Sequence, residues 1–349
     1  MRLLSVLLVL VPIGIAASLL DAPATVTFVC AAGALIPISG FIGKATEDVA
    51  LRSGPRIGGL LNVTMGNAAE LIITLVALNK GLTDLVRASI AGSMLGNVLL
   101  VLGASLLVGG LKNGRQRFDA HVAGISATML ALAVVALSLE ALFSTGPNAV
   151  QGESDKDALS AALAIVLLIL YGLYVLYTVF LHKPDESRMH TVDTSAAWPM
   201  RTSLGVLAAS AIGAVVMSEL LVGSVEDAID AWGVTELFVG VMLVPIIGNA
   251  AEHWSAGLSA YRNHMDLSLS ISIGSCLQIA LFTAPLLVIA GFVLGNHLQL
   301  IFNQYELVAL GGAAIVAAFI SFDGESNWVE GAQLLAVYTI FGFGFFFLS

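Results

Sequence analysis

Residues 66–70 and 248–252 spell the same pentapeptide, Gly-Asn-Ala-Ala-Glu, and each copy sets a carboxylate inside a long apolar stretch. An acidic side chain near the centre of a bilayer is costly, so Glu70 and Glu252 are read as functional rather than incidental. The copies stand 182 positions apart, and that offset also superimposes Gly58 on Gly240, Leu61 on Leu243, Lys80 on Arg262, Asp84 on Asp266, Gly92 on Gly274, Ser93 on Ser275 and Leu95 on Leu277. The chain is therefore read as an internal duplication.

With 58% hydrophobic and 11% charged residues, the 349-residue chain lies far from the roughly 25% charge of a soluble domain. Apolar ranges of the length that a spanning helix needs fall at 3–20, 24–43, 57–79, 85–109, 121–143, 158–181, 202–222, 236–260, 267–293, 304–321 and 328–348. They predict an all-α polytopic membrane protein of eleven helices. Turn and charge signals separate them, among them Asp21-Ala22-Pro23, Lys112-Asn113-Gly114-Arg115 and Lys183-Pro184-Asp185-Glu186. Of the 14 Lys and Arg residues, only Lys80, Arg87 and Lys156 fall on the side opposite the N-terminus, which places the N-terminus in the cytoplasm and the C-terminus outside. Arg2 and Ala22-Pro23-Ala24 resemble a cleaved signal, but the second apolar segment follows at once, so an uncleaved first helix with no extension before it is expected. The expected units are a first helix (1–23), repeat 1 (24–182), a cytoplasmic linker (183–201) and repeat 2 (202–349). Five helices per repeat is an odd number, so the repeats should insert in opposite orientations, with a site between them at mid-membrane.

The net charge of −10 argues against nucleic acid and anionic substrates and suits a cation. Cys30 and Cys276 match no disulfide, zinc or redox spacing and are expected to pack.

In each half a Gly-Ser pair follows the Glu by 23 residues, so a hairpin should bring Ser93 to Glu70 and Ser275 to Glu252. Asn97 lies one turn beyond Ser93, and Gln278 three residues beyond Ser275. These are oxygen donors, and with His253 as the one imidazole nearby they favour a hard cation such as Ca²⁺ over zinc or copper. Gly66-Asn67 and Gly248-Asn249 sit where the helices can break and free backbone carbonyls, helped in the second half by Pro245. Two carboxylates in a low dielectric do not both stay charged without a partner. They take either a divalent metal or protons, and that exclusive choice is itself an exchange mechanism. His253 points about 100° away from Glu252 and is read as a proton-handling residue or a helix contact rather than a ligand.

Blander readings stand beside these. The serines are as well suited to helix packing as to ligation, and the glutamates to tying helices together. Glu47 and Asp48 either draw in cations or form a solvated interface, while Glu140, Glu219 and Glu306 reach the headgroups and Glu226, Asp227 and Asp230 solubilise an outer loop.

The segments 59–73, 92–97 and 244–253 resemble the signature repeats of the cation/proton exchangers, the Ca²⁺/H⁺ antiporter branch of the calcium/cation antiporter superfamily. The resemblance implies no enzyme and no resident cofactor, but a carrier of Ca²⁺ and H⁺ in a prokaryotic cell membrane. Glu70 and Glu252 would be shared ligands, with Asn97, Gln278, Ser93 and Ser275 around them. Related sodium/calcium exchangers commonly carry an acid where this chain has Ile279, which favours protons as counter-ion. The family's acidic linker helix is reduced here to Asp185, Glu186 and Asp193. A sodium-coupled exchanger is the first alternative and a cation channel the second; an intramembrane hydrolase would need a nucleophile and base that are not apparent. Oligomeric state, metal selectivity and stoichiometry are left open.

Overall fold

The eleven apolar ranges overlap helix throughout the computed structural model, which describes residues 5–145, 149–181 and 197–348. In chain order the helices are α1 (Leu7–Leu19), α2 (Ala24–Arg52), α3 (Pro55–Met65), α4 (Ala68–Asn79), α5 (Thr83–Asn113), α6 (Ala120–Thr145), α7 (Glu153–Val179), α8 (Met200–Gly223), α9 (Val225–Trp232), α10 (Glu236–Gly248), α11 (Ala250–Tyr261), α12 (Met265–Leu294), α13 (Gln304–Phe322) and α14 (Trp328–Phe347). Among the described residues, eight are long and apolar enough to cross a bilayer alone: α2, α5, α6, α7, α8, α12, α13 and α14. The ranges 57–79 and 236–260, expected as single spans, are each two helices, and α9 meets α10 at a bend of 113°. The linker residues Lys183, Asp185, Glu186 and Asp193, like Arg2, lie outside the described residues.

The 182-residue offset carries over into three dimensions. α4 begins at Ala68 and ends at Asn79, and α11 begins and ends at the equivalent Ala250 and Tyr261; α5 starts at Thr83 and α12 at its equivalent, Met265. The breaks fall on the asparagines, with Asn67 at φ −98°, ψ 31° and Asn249 at φ −103°, ψ 16°, angles that end one helix without forbidding the next.

Among the described residues four helices widen by one residue per turn, at Gly96–Val101 in α5, Leu176–Leu181 at the end of α7, Val239–Leu243 in α10 and Ile279–Thr283 in α12. A proline donates no hydrogen bond to the carbonyl four residues back. Pro245 and Pro285 stand just past two of these wide turns, which absorb that missing bond. Such turns recur at functional positions.

Loop contacts fall into two sets at opposite ends of the bundle. At one end Gln116 Nε2 donates to the Ala260 carbonyl (2.9 Å) and to Asn263 Oδ1 (3.0 Å), and the Asp119 amide donates to Asp266 Oδ1 (2.7 Å). A two-residue ladder there pairs β1 (Gln116–Arg117) with β2 (Glu325–Ser326). At the other end Asn296 Nδ2 donates to the Leu78 carbonyl (2.9 Å), and Lys80 pairs with Glu219 (3.1 Å).

Three acids read as solvated are not. Asp48 is fully buried, paired with Lys44 one turn away and accepting from the Trp198 amide. Glu140 and Glu306 are each 3% exposed, because the segment 298–306 folds over them instead of leaving them at the headgroups. Cys30 and Cys276 are free thiols.

Candidate functional site

Both acidic residues stand in the first turn of a helix that begins at a break, Glu70 in α4 and Glu252 in α11. Unpaired amides and the helix dipole make that first turn the place where a helix best tolerates negative charge. Depth comes from the broken span, and direction from position three of the new helix.

The two breaks meet. Gly248 lies against Glu70 so closely that a Cβ built on it would be 3.6 Å from the Glu70 Cα. Ser93 and Asn249 flank the Glu70 carboxyl group, and Glu252 is near enough for the two carboxyls to interact electrostatically. The halves are tied by reciprocal asparagines: Asn249 Nδ2 donates to Ser93 Oγ (3.2 Å), and Asn67 Nδ2 donates to the Ser275 carbonyl (3.3 Å). Each asparagine is thus more than a helix breaker, since it reaches the Gly-Ser helix of the opposite half. Ser275 meets Asn67 through its main chain, and no hydrogen bond of it to Glu252 is present among the described residues.

Around these ties lies a set of buried oxygens without hydrogen-bond partners: Asn67 Oδ1, both carboxyl oxygens of Glu70, Asn97 Oδ1, Asn249 Oδ1 and Glu252 Oε2. Leaving a buried polar atom unmade costs on the order of 1–3 kcal/mol, more when charged. Several gathered from both halves are the signature of a site built for a ligand. Glu70 is 1% exposed, Ser93 and Asn97 fully buried, and Gln278 6% exposed, whereas Glu252, Ser275 and His253 are only half-buried. Asn97 occupies the wide turn of α5, and Gln278 directly precedes that of α12, so the main chain around each is loosened. Among the described residues no three His, Cys, Asp or Glu side chains converge as a metal cluster. The donor set is two carboxylates with neutral amide and hydroxyl oxygens, which fits a hard divalent cation taken up and released rather than a tightly held one.

Sequence reasoning missed the cross-half reach of Asn67 and Asn249. Their presence in both copies of the pentapeptide was the available signal. It also missed Thr74, whose hydroxyl donates to the Glu70 carbonyl (2.8 Å) and so occupies that main-chain oxygen.

A bundle of apolar helices, interrupted twice at a buried oxygen-rich centre, defines a multi-pass membrane protein of the transporter type. The family described as "sodium/calcium exchanger protein" matches residues 23–180 and 202–347, and the chain belongs to it. It is 43% identical to the Ca²⁺/H⁺ antiporter of Aphanothece halophytica, over 98% of this chain and 95% of that protein. It is 41% identical to the Ca²⁺/H⁺ antiporter ChaA of Bacillus subtilis (strain 168), over 97% of each. The crystal structure of the Ca²⁺/H⁺ antiporter protein YfkE superimposes with a TM-score of 0.87 at 40% identity, covering all of both chains.

Proposed function

We propose that this protein exchanges Ca²⁺ for H⁺ across a prokaryotic cell membrane by alternating access at a site built on Glu70 and Glu252. One observation carries the reading: unpartnered oxygens of Asn67, Glu70, Asn97, Asn249 and Glu252, drawn from both halves, gather where the two broken spans meet. The relatives named Ca²⁺/H⁺ antiporters support the same ion pair.

The chemistry follows from charge balance. Two ionised carboxylates in a low-dielectric centre repel one another and lack water, so the empty charged site is disfavoured. Ca²⁺ neutralises both, and so do protons, and neither can bind without displacing the other. Ser93, Asn97, Gln278, Asn249 and Asn67 would complete the shell with neutral oxygens, while Ser275 and His253 stand at its half-buried edge. Ile279, fully buried and apolar beside Gln278, supplies no third charge for a sodium-coupled cycle.

The topology proposed with this function is eleven crossings, α1 followed by two inverted five-span repeats, with α3–α4 and α10–α11 each forming one broken span. The loop contacts support it. The segments assigned to the cytoplasm, 113–119, 260–266 and 323–327, touch one another, and those assigned outside, 78–80, 153–157, 219 and 295–300, do likewise.

Glu70→Gln and Glu252→Gln keep size and hydrogen bonding but remove the charge. In inverted membrane vesicles either variant is expected to lose proton-driven uptake of radiolabelled Ca²⁺. Substantial uptake surviving in either would overturn the assignment, and uptake driven by a sodium gradient at fixed pH would transfer it to the sodium-coupled alternative.

A further inference from the structure

Outside the central site a second buried acid in a long helix is Glu140, 3% exposed, five residues from the end of α6. One oxygen, Oε1, accepts hydrogen bonds from the Ser160 hydroxyl of α7 and from the Leu300 amide (3.1 Å) in the segment joining α12 to α13. The other, Oε2, is buried with no partner. Among the described residues no cation pairs with it. Arg87 of α5 is close enough to be felt, but its guanidinium is engaged by Asp84 and reaches the Gln299 carbonyl (3.4 Å).

The segment that Glu140 touches is a strap. Asn296 donates to the Leu78 and Asn79 carbonyls at the end of α4 (2.9 and 3.1 Å). His297 contacts Asp157 (2.6 Å), and Gln299 donates to Glu153 and Asp157 of α7 (3.0 and 2.9 Å). Beyond it Asn303 and Glu306 form the capping box that starts α13. The strap thus links repeat 2 to the end of the helix that carries Glu70. Arg87 is the charge that acts on Glu140, and it is shared with Asp84; the other charged groups on the elements packed around it are Glu153, Lys156 and Asp157 of α7, His297 of the strap and Glu306 of α13, with Lys156 paired to Glu153 and His297 to Asp157.

We propose that Glu140 is a proton-responsive positioning residue: as a neutral acid it holds the 296–300 strap in place, and its ionisation releases the strap, giving exchange a dependence on outer pH separate from proton binding at the central site. The chemistry gives the direction. A carboxylate with one bare oxygen in the protein interior is strongly disfavoured, whereas the acid leaves only a carbonyl-type or hydroxyl oxygen unpartnered. Ser160 can donate to the carboxylate or accept from the acid, so its contact persists in both forms. Relief for the ionised form comes from opening the strap to water. The assignment of this end to the outside rests on the topology proposed above; the link between proton and strap does not.

The test uses the full-length protein in proteoliposomes, comparing wild type with Glu140→Gln, which stays neutral and can still accept at Oε1. Hydrogen exchange of peptides covering 296–302, corrected for intrinsic rates, is expected to lose protection in wild type with rising pH. The limiting slope is about tenfold per unit for release of one proton, and in Glu140→Gln protection should stay flat. The infrared carbonyl band of a protonated carboxyl should lose one component in the variant. In transport, Glu140→Gln should keep Ca²⁺ exchange but flatten its dependence on outer pH, and Ser160→Ala should keep that dependence with a displaced midpoint. Strap protection independent of pH in wild type, or superimposable profiles for wild type and Glu140→Gln, overturns the proposal. The exchange and infrared readouts need no transport, so failure of the antiport reading itself would register separately, as absent Ca²⁺ flux in wild type.

Discussion

Gly92 and Gly274 are equivalent positions in unlike surroundings. A Cβ on Gly92 would lie 2.1 Å from the Val241 carbonyl oxygen and 2.5 Å from its Cα, main-chain atoms of α10; one on Gly274 would meet nothing within 4 Å. Gly240 repeats the closeness from the other side, 2.5 Å from the Ala88 Cβ. α10 is therefore clamped on α5, whereas its counterpart α3 packs on α2 and the end of α7 and makes no comparable contact with α12. In the proposed topology α10 descends from the outer face and α3 rises from the inner one, and the hypothesis is that this state is shut outside and open inside. Exchanging the roles of the halves gives the opposite state, in which Gly274 becomes the pinched residue. Gly92→Ala asks the α10 main chain to retreat by roughly 1 Å, and overpacking of this kind costs about 1–3 kcal/mol. A free energy of that size moves a two-state equilibrium about 5–150-fold, here away from the inward-open state. Gly274→Ala carries the same cost in the other state and moves the balance the other way. The assay is the labelling rate of Leu60→Cys, exposed on α3, with an impermeant maleimide from the inner face, in a chain also carrying Cys30→Ser and Cys276→Ser. Gly92→Ala should slow labelling, and Gly274→Ala should raise it or leave it at its ceiling. If both alanines shift labelling in one direction, or neither shifts it, the reciprocal-gate reasoning is wrong.

Two further outcomes are expected. Asn249→Ala removes the donor to Ser93 Oγ together with one unpartnered oxygen; it should raise the KM for Ca²⁺ and lower unfolding stability in detergent by about 0.5–1.5 kcal/mol, and an unchanged KM would remove Asn249 from the site. Asn327→Ala deletes the acceptor for the Val329 and Glu330 amides at the start of α14, costing about 1 kcal/mol in a thermal melt with uptake kinetics unaltered, so a transport defect would contradict a purely structural cap.

The sequence makes the helices legible because lipid imposes a coarse rule: long apolar runs interrupted by charge. The pentapeptide makes the breaks legible too, since Gly66 and Gly248 stand inside runs otherwise able to continue as helix. The ties across the site are a different matter. Asn67 meets Ser275, and Asn249 meets Ser93, through proximity between halves, which no local pattern encodes. The wide turns before Pro245 and Pro285 have a local cause and were readable from the prolines, but the one at Gly96–Val101 has no proline and emerges only from packing. Asp48 offered a signal in its spacing from Lys44, four residues earlier on one helix face. Glu140 offered none, because Ser160 and Leu300 come to it from two other elements.

The unequal burial of Glu70 and Glu252 also follows from the state of the gates. Gly248, the last residue of the clamped α10, lies on Glu70, and Glu70 is 1% exposed; Gly66 follows the unclamped α3, and Glu252 is half-buried as a residue, with its Oε2 buried. By the symmetry of the halves, each gate on closing would seal the carboxyl group of the opposite half. Sealing a bare carboxylate costs several kcal/mol, so a gate closes readily only over an acid that carries Ca²⁺ or a proton, and an empty carrier is kept from cycling. The hypothesis predicts reciprocal behaviour. With Ca²⁺ absent and pH high, Glu70→Gln frees α10 to close and should raise inner-face labelling of Leu60→Cys, while Glu252→Gln frees α3 to close and should lower it. Equal shifts in the two variants would separate burial from gating and leave the coupling of ion to conformation without this physical basis.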